Sequence, residues 1–220
     1  MAEIATTAFN IRIHIKDMKL NSFLVKSLAG GWLFLALVPG LVAQPAAGER
    51  TAALSNATIL IIRHAEKPAS GLELAPAGVA RAQAYPAYFK NLSLAGVPVK
   101  VDAVFATADS KGSHRPRLTI EPTAKALGLP VDSRFADKNF AALADELKAK
   151  PHGRTLLVCW HHGEIPSLAQ ALGADPAKLL PGGKWPNEVF GWMIVLRYDA
   201  AGHLTEEKCL NEHLMPDDGQ

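Results

Sequence analysis

From residue 57 onward, short runs of apolar and β-branched residues alternate with longer stretches of helical periodicity. The apolar runs are typical of strands that are covered on both faces. Strands are predicted at Thr58–Arg63, Ala103–Ala106, Thr155–Trp160 and Trp192–Tyr198, and helices at Pro76–Asn91, Arg115–Leu127, Phe140–Lys148 and Pro166–Leu172. This alternation predicts an α/β fold in which a mostly parallel central sheet is flanked by helices.

Prolines and glycines mark positions inside and after the predicted helices. Pro86 and Pro122 fall within the first two helical patterns, where we expect them to kink or divide the helices. Gly128 and Gly173 stand where helical patterns stop, as C-terminal caps do.

Residues 1–43 have the pattern of a secretory signal peptide. A weakly basic stretch that opens at Met18 is followed by the apolar run Leu28–Ala43, which several glycines and a proline interrupt. This run is too short and too interrupted for a stable membrane span, so we expect cleavage after Ala43 and a periplasmic or secreted protein. A retained N-terminal anchor is the alternative. We expect residues 44–56 to be a polar lead-in and residues 57–220 to form one domain.

Charge and cysteine content argue against two classes of protein, those that bind nucleic acids and those built on disulfide bonds. Without residues 1–43, the chain's 23 basic and 21 acidic residues fall to 19 of each. A neutral chain lacks the basic surplus that neutralises a nucleic-acid backbone, so we expect no nucleic-acid partner. Cys159 and Cys209 are too few for a disulfide scaffold. We expect free, buried thiols, with a bridge between the two as the alternative.

Candidate chemistry begins where the first predicted strand ends. The apolar run 57–62 is followed directly by Arg63, which ends the strand, and then by His64, Ala65, Glu66 and Lys67. The carboxyl ends of such strands are where α/β proteins usually bind ligands. His64 can act as a nucleophile if a hydrogen bond holds one ring nitrogen and leaves the other free. Arg63 can donate two hydrogen bonds to a phosphate group.

Two further segments follow in order. The first is Arg115-Pro116-Arg117-Leu118-Thr119, which opens a helical pattern that ends at Leu127-Gly128-Leu129. The second is His161-His162-Gly163-Glu164-Ile165-Pro166, which follows the strand predicted at Thr155–Trp160.

Together the three segments resemble those of the histidine phosphatase superfamily, also called phosphoglycerate mutase-like. The resemblance covers the chain from Ile59 to about Tyr198 and implies a three-layer sandwich. It assigns the nucleophile to His64 and phosphate binding to Arg63 and Arg115. It differs at residues 108–114, where the superfamily's usual Ser-Pro-Leu approach is missing.

The resemblance places a second catalytic and phosphate-binding histidine in the third segment. Counting back from Ile165-Pro166 favours His161, whereas the Gly163 that follows His162 makes His162 the alternative. Because successive side chains of a strand point to opposite faces, we expect only one of the two to face the phosphate. Glu164 is one candidate general acid and Glu66 is the other, which could instead pair with Lys67 or Arg81. Either would need a pKa raised by burial.

These features predict a metal-independent phosphatase that hydrolyses phosphomonoesters through a phosphohistidine. We expect a small phosphorylated substrate, no cofactor, no metal and no stable membrane span after processing. The oligomeric state is left open. The alternative function is an inactive relative that binds a phosphorylated ligand of the cell envelope. A zinc hydrolase is disfavoured because the histidines lack ligand spacing. A modest cap, expected from residues 67–75 and 174–190 with Trp185, suggests a small or exposed phosphate group.

Overall fold

A mixed β-sheet forms the centre of the molecule. The computed structural model describes residues 52–219. Eight strands lie in this part of the chain: β1 (Thr58–Arg63), β2 (Ser93–Leu94), β3 (Val97–Pro98), β4 (Ala103–Ala106), β5 (Val131–Asp132), β6 (Thr155–Trp160), β7 (Trp192–Tyr198) and β8 (Leu204–Asn211). Six of them form the main sheet in the order β5-β4-β6-β1-β7-β8, while β2 and β3 form a separate hairpin.

Strand directions in the main sheet are mostly shared. Strand β1 pairs in parallel with β6, which pairs in parallel with β4, and β4 pairs in parallel with β5. Strand β7 is antiparallel to both of its neighbours, β1 and β8. The predicted mostly parallel sheet is therefore confirmed, and the four predicted strands have the bounds that the sequence indicated.

Helices cover both faces of this sheet. They are α1 (Pro76–Lys90), α2 (Arg115–Leu127), α3 (Phe140–Ala149), α4 (Ile165–Ala171) and α5 (Pro176–Leu179). Side chains of β1 alternate between two hydrophobic cores. Leu60 and Ile62 share one core with Tyr85 of α1 and Ile120 of α2. Ile59 and Ile61 belong to the other, which includes side chains of α3, α4 and α5. The fold is thus the expected three-layer α/β sandwich.

The prolines inside the first two helices do not divide them. Helices α1 and α2 run continuously through Pro86 and Pro122, where each lacks one backbone donor. Helix α2 ends as expected, because Gly128 adopts a left-handed conformation with a φ of 69° just beyond it.

The two cysteines are free thiols, as expected, but only Cys159 is buried and Cys209 is half-buried. Cys159 lies in β6 and Cys209 in β8, and strands β1 and β7 separate them in the sheet. Strands are spaced about 4.8 Å apart, whereas a disulfide needs Cα atoms within about 7 Å. The sheet order therefore excludes a bridge between them. Burial raises the pKa of the Cys209 thiol to about 12.

The expected signal peptide, its cleavage after Ala43 and most of the expected lead-in lie outside the described residues. Of the lead-in, residues 52–56 form a turn that packs onto the domain, with Leu54 buried in one of the two cores. Among residues 52–219, no helix has the length and apolarity needed to cross a membrane.

Candidate active site

Several chain segments converge at one edge of the main sheet. The parallel strands β1, β4 and β6 end at this edge, and the antiparallel strand β7 begins there. Three site segments therefore lie at this edge: His64 follows β1, the segment that leads to Arg115 follows β4, and His161 follows β6. The 184–190 loop, which precedes β7, completes the set.

His64 is held in one orientation and one tautomer. Its backbone N–H donates to the Trp160 carbonyl at 3.0 Å, so β6 fixes the residue directly after β1. Its Nδ1 lies 2.7 Å from the Ala65 carbonyl oxygen. Because a carbonyl only accepts hydrogen bonds, Nδ1 carries the proton and Nε2 retains a free lone pair. This is the state that a histidine nucleophile requires.

Both histidines that follow β6 approach His64. The ring of His161 is 5.0 Å from that of His64 between centroids, and the ring of His162 is 6.5 Å away. The alternation expected of a strand does not apply to them because β6 ends at Trp160 and the chain turns, with the Glu164 N–H donating to the His161 carbonyl. His162 is further tied to the 184–190 loop, since its Nε2 lies 2.9 Å from Asn187 Oδ1.

Arg63 is buried beneath the 184–190 loop. Its Nη1 donates to the backbone carbonyls of Asn187 at 2.6 Å and Val189 at 2.9 Å. Its guanidinium carbon lies 3.8 Å from the centre of the Phe190 ring. Its Nε is buried and has no hydrogen-bond partner within the described residues. The loop therefore orients the guanidinium group while leaving a donor unused.

Arg115 opens α2 and is positioned by the segment before it. Residues 108–114, where the resemblance to the superfamily is weakest, form a tight turn in which the Ser110 N–H donates to the Ser113 carbonyl at 3.0 Å. Arg115 Nη1 donates to the Gly71 carbonyl at 3.1 Å, and its Nε is buried without a partner among the described residues. Arg117 instead forms ion pairs with Asp109 and Glu121.

Thr119 connects α2 to the segment that carries His64. Its hydroxyl accepts a hydrogen bond from the Ala65 N–H at 2.8 Å and donates one to the Arg115 carbonyl at 2.7 Å. The side chain is fully buried. One hydroxyl group therefore links the residue after His64 to the backbone of Arg115.

His64, His161, Arg63 and Arg115 form a cationic cluster. Burial makes a further positive charge on either histidine unfavourable. Burial, with a smaller contribution from the charges of the nearby arginines, lowers the pKa of His64 to about 3 and that of His161 to about 4. Burial also lowers the pKa of Arg63 to about 10. Both imidazoles are therefore neutral at physiological pH, beside two guanidinium groups with unused donors. A bound anion would stabilise this arrangement, because it supplies the opposite charge and the missing acceptors.

The two carboxylates proposed as general acids are both in ion pairs. Glu66 accepts hydrogen bonds from Arg81, which also pairs with Asp218. Glu164 lies in the turn after His161, and its carboxylate pairs with Lys138. Of the alternatives considered for Glu66, the structure therefore shows the pairing with Arg81.

A cavity of about 430 Å³ opens beside Arg63. Its lining comes from both sides of the site: Arg63, Glu66, Lys67, His162, Asn187, Glu188 and Phe190. Of the two segments expected to form a cap, the 67–75 segment contacts Arg115 through Gly71, and residues 186–190 cover Arg63. Trp185 lies underneath this cover, buried in a core, and donates to the Val189 carbonyl at 2.8 Å.

Asn187, Glu188 and Phe190 line the cavity but could not be identified individually from the sequence. No motif marks them. The signal in the sequence is their place immediately before β7. If that strand runs antiparallel to β1, the residues before it lie at the edge of the sheet where β1 ends.

Within residues 52–219, no group of three or more histidine, cysteine or acidic side chains is arranged to hold a metal ion.

The chain resembles known proteins in its fold and not in its sequence. No protein-family model and no curated protein sequence matches this chain. Among solved structures, an Escherichia coli protein assigned as an alpha-ribazole-5'-P phosphatase superposes with a TM-score of 0.51 at 16% identity, covering 71% of this chain and 97% of that one. The likeness is one of fold.

Two further solved structures are similar at lower scores. Phosphoglycerate mutase from Plasmodium falciparum matches with a TM-score of 0.47 and 18% identity, over 69% of this chain and 90% of that one. A phosphoserine phosphatase from Entamoeba histolytica matches with a TM-score of 0.46 and 13% identity, over 69% and 96%. At these identities the activity has to be derived from this chain's own residues.

Proposed function

We propose that the protein hydrolyses phosphomonoesters through a phosphohistidine formed on His64. The observation that carries this proposal is the fixed tautomer of His64. Its Nδ1 is committed to the Ala65 carbonyl, so Nε2 is the nucleophile, and it lies in a cluster with His161, Arg63 and Arg115. A neutral imidazole with a free nitrogen, beside cationic donors, suits attack on a phosphorus atom.

In the first step, Nε2 of His64 attacks phosphorus while the bond to the leaving oxygen breaks. Arg63, Arg115 and His161 bind the equatorial phosphoryl oxygens, and His162 is the alternative to His161. The buried Nε groups of the two arginines supply donors that no described residue uses. Because these donors are already oriented, little reorganisation is needed as charge develops in the transition state.

In the second step, water attacks the phosphorus and releases inorganic phosphate, which restores His64. No described residue contributes a metal site, and the proposed reaction uses none. The Thr119 hydroxyl and the Ala65 carbonyl keep His64 aligned through both steps. The proposed substrates are small phosphorylated molecules, because the cavity beside Arg63 measures about 430 Å³.

We also propose that the protein acts outside the cytoplasm, because residues 1–43 have the pattern of a signal peptide. Export favours a phosphatase over a mutase, since it separates the protein from the phosphoglycerates of glycolysis. Fractionation and mass measurement test this: a chain that begins at residue 44 is expected in the envelope fraction. A chain that retains residues 28–43 contradicts cleavage after Ala43, and recovery from the cytoplasm contradicts export.

The test of the function is detection of the intermediate. Protein mixed with para-nitrophenyl phosphate is quenched in base, because phosphohistidine is acid-labile, and its peptides are analysed by mass spectrometry. We expect phosphate on the peptide that contains His64, together with nitrophenol release that persists in the presence of a chelator. His64→Ala is expected to abolish both. His203→Ala, which alters an exposed histidine, is the matched control.

A second candidate is a binding protein without turnover. It is favoured by the burial of His64, which is only 2% exposed, and by the loop carbonyls that occupy Arg63 Nη1. Retention of phosphate binding without an adduct or nitrophenol release would select this candidate and contradict the phosphatase proposal.

A further inference from the structure

Helices α1 and α2 pack against each other and leave a groove of about 880 Å³ between them. On α1 it is lined by Val79, Ala82, Gln83 and Pro86, which recur at the spacing of one helix face. The residues of α2 that line the groove, from Leu118 to Ala126, recur in the same way. The groove thus runs between two facing helix stripes, on a side of the molecule that the proposed reaction does not use.

The two prolines inside these helices both line the groove. Pro86 has no N–H to donate to the Ala82 carbonyl four residues earlier, and Pro122 has none for the Leu118 carbonyl. Ala82 and Leu118 also line the groove. A bond between residues i and i−4 runs along the helix axis, so each freed carbonyl lies on the same side of its helix as the proline.

Neither carbonyl gains another partner. Among the described residues, no loop backbone group and no side chain donates to the carbonyl of Ala82 or Leu118. One unused backbone acceptor from each helix is therefore left at the same groove. A backbone acceptor that has lost its helical donor favours a ligand that brings a donor.

The polar side chains of the groove are mostly acceptors as well. The carboxylates of Glu73 and Glu121 line it, and their ion pairs with His114 and Arg117 are exposed. Lys125 is the one cationic side chain in the lining. With two carboxylates and two free carbonyls against one ammonium group, the groove complements a ligand that donates hydrogen bonds and carries positive charge.

The rest of the groove is apolar and short. Leu74, Val79, Ala126 and the two prolines supply its apolar surface, and Val79 remains 48% exposed. Along α1 the lining spans seven residues, which is about 10 Å at the rise of a helix. The volume and the mixture of an apolar surface with a few polar groups are typical of small-molecule sites. A groove of this length is too short for several turns of a partner helix.

We propose that this groove binds a small apolar molecule that carries a protonated amine. The amine donates to the freed carbonyls of Ala82 and Leu118 and faces Glu121, while the apolar part packs on Val79 and the two prolines. The site goes beyond the proposed hydrolysis, because no residue of its lining takes part in that reaction.

The groove nevertheless borders the active site. Leu74 closely follows Leu72, whose carbonyl accepts a hydrogen bond from the His114 N–H at 3.0 Å. Gly71, in the same segment, accepts one from Arg115. A ligand in the groove therefore contacts the segment that positions a proposed phosphate-binding arginine.

Three probes that share one apolar body test the proposal. They are phenylbutylamine, phenylbutanol and phenylbutanoate, each with its polar group at the end of the chain. Each probe is titrated into the protein, and the backbone amide resonances are followed by NMR. We expect the amine to bind saturably, with shifts concentrated in residues 71–86 and 114–126. We expect the carboxylate to bind at least about tenfold more weakly, because it cannot donate to the carbonyls and is repelled by the glutamates.

The double variant with Pro86→Ala and Pro122→Ala tests the freed carbonyls. It restores the two backbone donors, which then occupy both carbonyls, so the Kd of the amine is expected to rise at least about tenfold. Alanine favours a helix far more than proline does, so unfolding does not account for this loss. Pro151→Ala changes an exposed loop proline outside the groove and is the matched control, with an unchanged Kd.

Glu121→Gln tests the charge separately. The variant keeps the size of the side chain and removes its negative charge, so the Kd of the amine is expected to rise and that of the alcohol to stay the same.

Several outcomes overturn the proposal. Equal Kd values for the amine and the carboxylate would do so, as would an unchanged Kd in the double proline variant. Absence of saturable amine binding, or shifts confined to residues outside the groove, would also overturn it. None of these outcomes affects the phosphatase proposal, which the phosphate adduct on His64 tests independently.

Discussion

The chemistry proposed for this protein depends on which ring nitrogen of His64 carries the proton. A hydrogen bond of 2.7 Å to the adjacent carbonyl fixes where its proton lies, and burial keeps the ring neutral. The neighbouring His161 is also neutral for the same reason. The two imidazoles therefore avoid repelling Arg63 and Arg115, which can then both face one anion.

Anion binding is expected to change the titration of both rings. With a pKa of about 3 for His64 and about 4 for His161, neither ring gains a proton between pH 8 and pH 5. Inorganic phosphate brings negative charge, which raises both pKa values. NMR of the ring Cε1–H groups, assigned with single alanine variants, is expected to show flat profiles without phosphate and upward-shifted titrations with it. A titration of free His64 near its ordinary value of 6.5 contradicts the prediction.

At the scale of elements, α2 is coupled to the end of β1 through Thr119. Thr119→Val leaves the buried Ala65 N–H without its acceptor, which costs about 1–3 kcal/mol in the free energy of unfolding. It also releases the residue whose carbonyl fixes the His64 tautomer, so kcat/KM is expected to fall at least about tenfold. Thr119→Ser, which retains the hydroxyl, is expected to restore both. Equal activity in Val and Ser variants, by steady-state kinetics, would contradict the coupling.

Helix α1 contacts the same segment from another side, at Gly78. A Cβ atom there would lie 2.4 Å from the Glu66 carbonyl oxygen. In an open helix, Gly→Ala stabilises by about 1 kcal/mol, but overpacking costs about 1–3 kcal/mol. Gly78→Ala is thus expected to lower both stability, by chemical denaturation, and kcat/KM, because it displaces Glu66 two positions after His64. Ala80→Gly, at an exposed position of α1, is expected to lower stability alone. Unchanged kcat/KM in Gly78→Ala would show that the displacement does not reach His64.

The elements that could be predicted from the sequence are those buried on both sides. Strands β1, β4, β6 and β7 are continuous apolar runs, and their ends correctly indicated where the site lies. Strand β8 was missed because it is an edge strand of mixed polarity, with Glu206, Glu207 and Lys208 in its middle. Strands β2, β3 and β5 are only two residues long and carry no periodicity.

The candidate site, like the fold, could be predicted from the sequence only in part. Motifs located Arg63, His64, Arg115 and the histidine pair because they adjoin these strong elements. Glu188 could not be located, since its place depends on contacts of the loop backbone with Arg63 and Trp185. The pairing of Glu66 also could not be settled, because Asp218 joins Arg81 from a distant part of the chain.

At the scale of the whole molecule, a buried polar network joins the site to the segment after β8. Arg81 binds Glu66 and Asp218, and it lies 3.9 Å from Glu212. Glu212 accepts a hydrogen bond from the Tyr85 hydroxyl at 2.9 Å. Burial raises the pKa of Glu212 to about 8, so its carboxyl group is largely protonated at neutral pH.

This network predicts an unusual pH dependence of stability. Glu212 has a pKa of about 8 in the folded state and an ordinary value of 4.5 when unfolded. Between these values the folded state binds more protons, so the stability that Glu212 contributes falls as pH rises, by up to about 1.4 kcal/mol per pH unit. The buried histidines act in the opposite sense below pH 6.5.

Glu212→Gln isolates this contribution, because the histidines cancel in the difference between variant and wild type. We expect the stability of the variant relative to wild type to increase from pH 5 to pH 8, measured by urea unfolding at each pH. Tyr85→Phe is a companion variant that removes the hydrogen bond and retains the carboxyl group. A difference that does not change with pH would show that Glu212 is ionised in the folded protein.

The position of β1 in the sheet also has a consequence for how the chain folds. Strand β1 comes first of the eight described strands, yet Thr58 pairs with Thr155 on one side and Arg197 on the other. Both partners are remote in sequence, and closing such long loops costs chain entropy, which slows folding. His64 therefore acquires its ordered surroundings only after the strands from the second half of the chain have docked. The proposed active site therefore forms late in folding, from segments that lie far apart in the sequence.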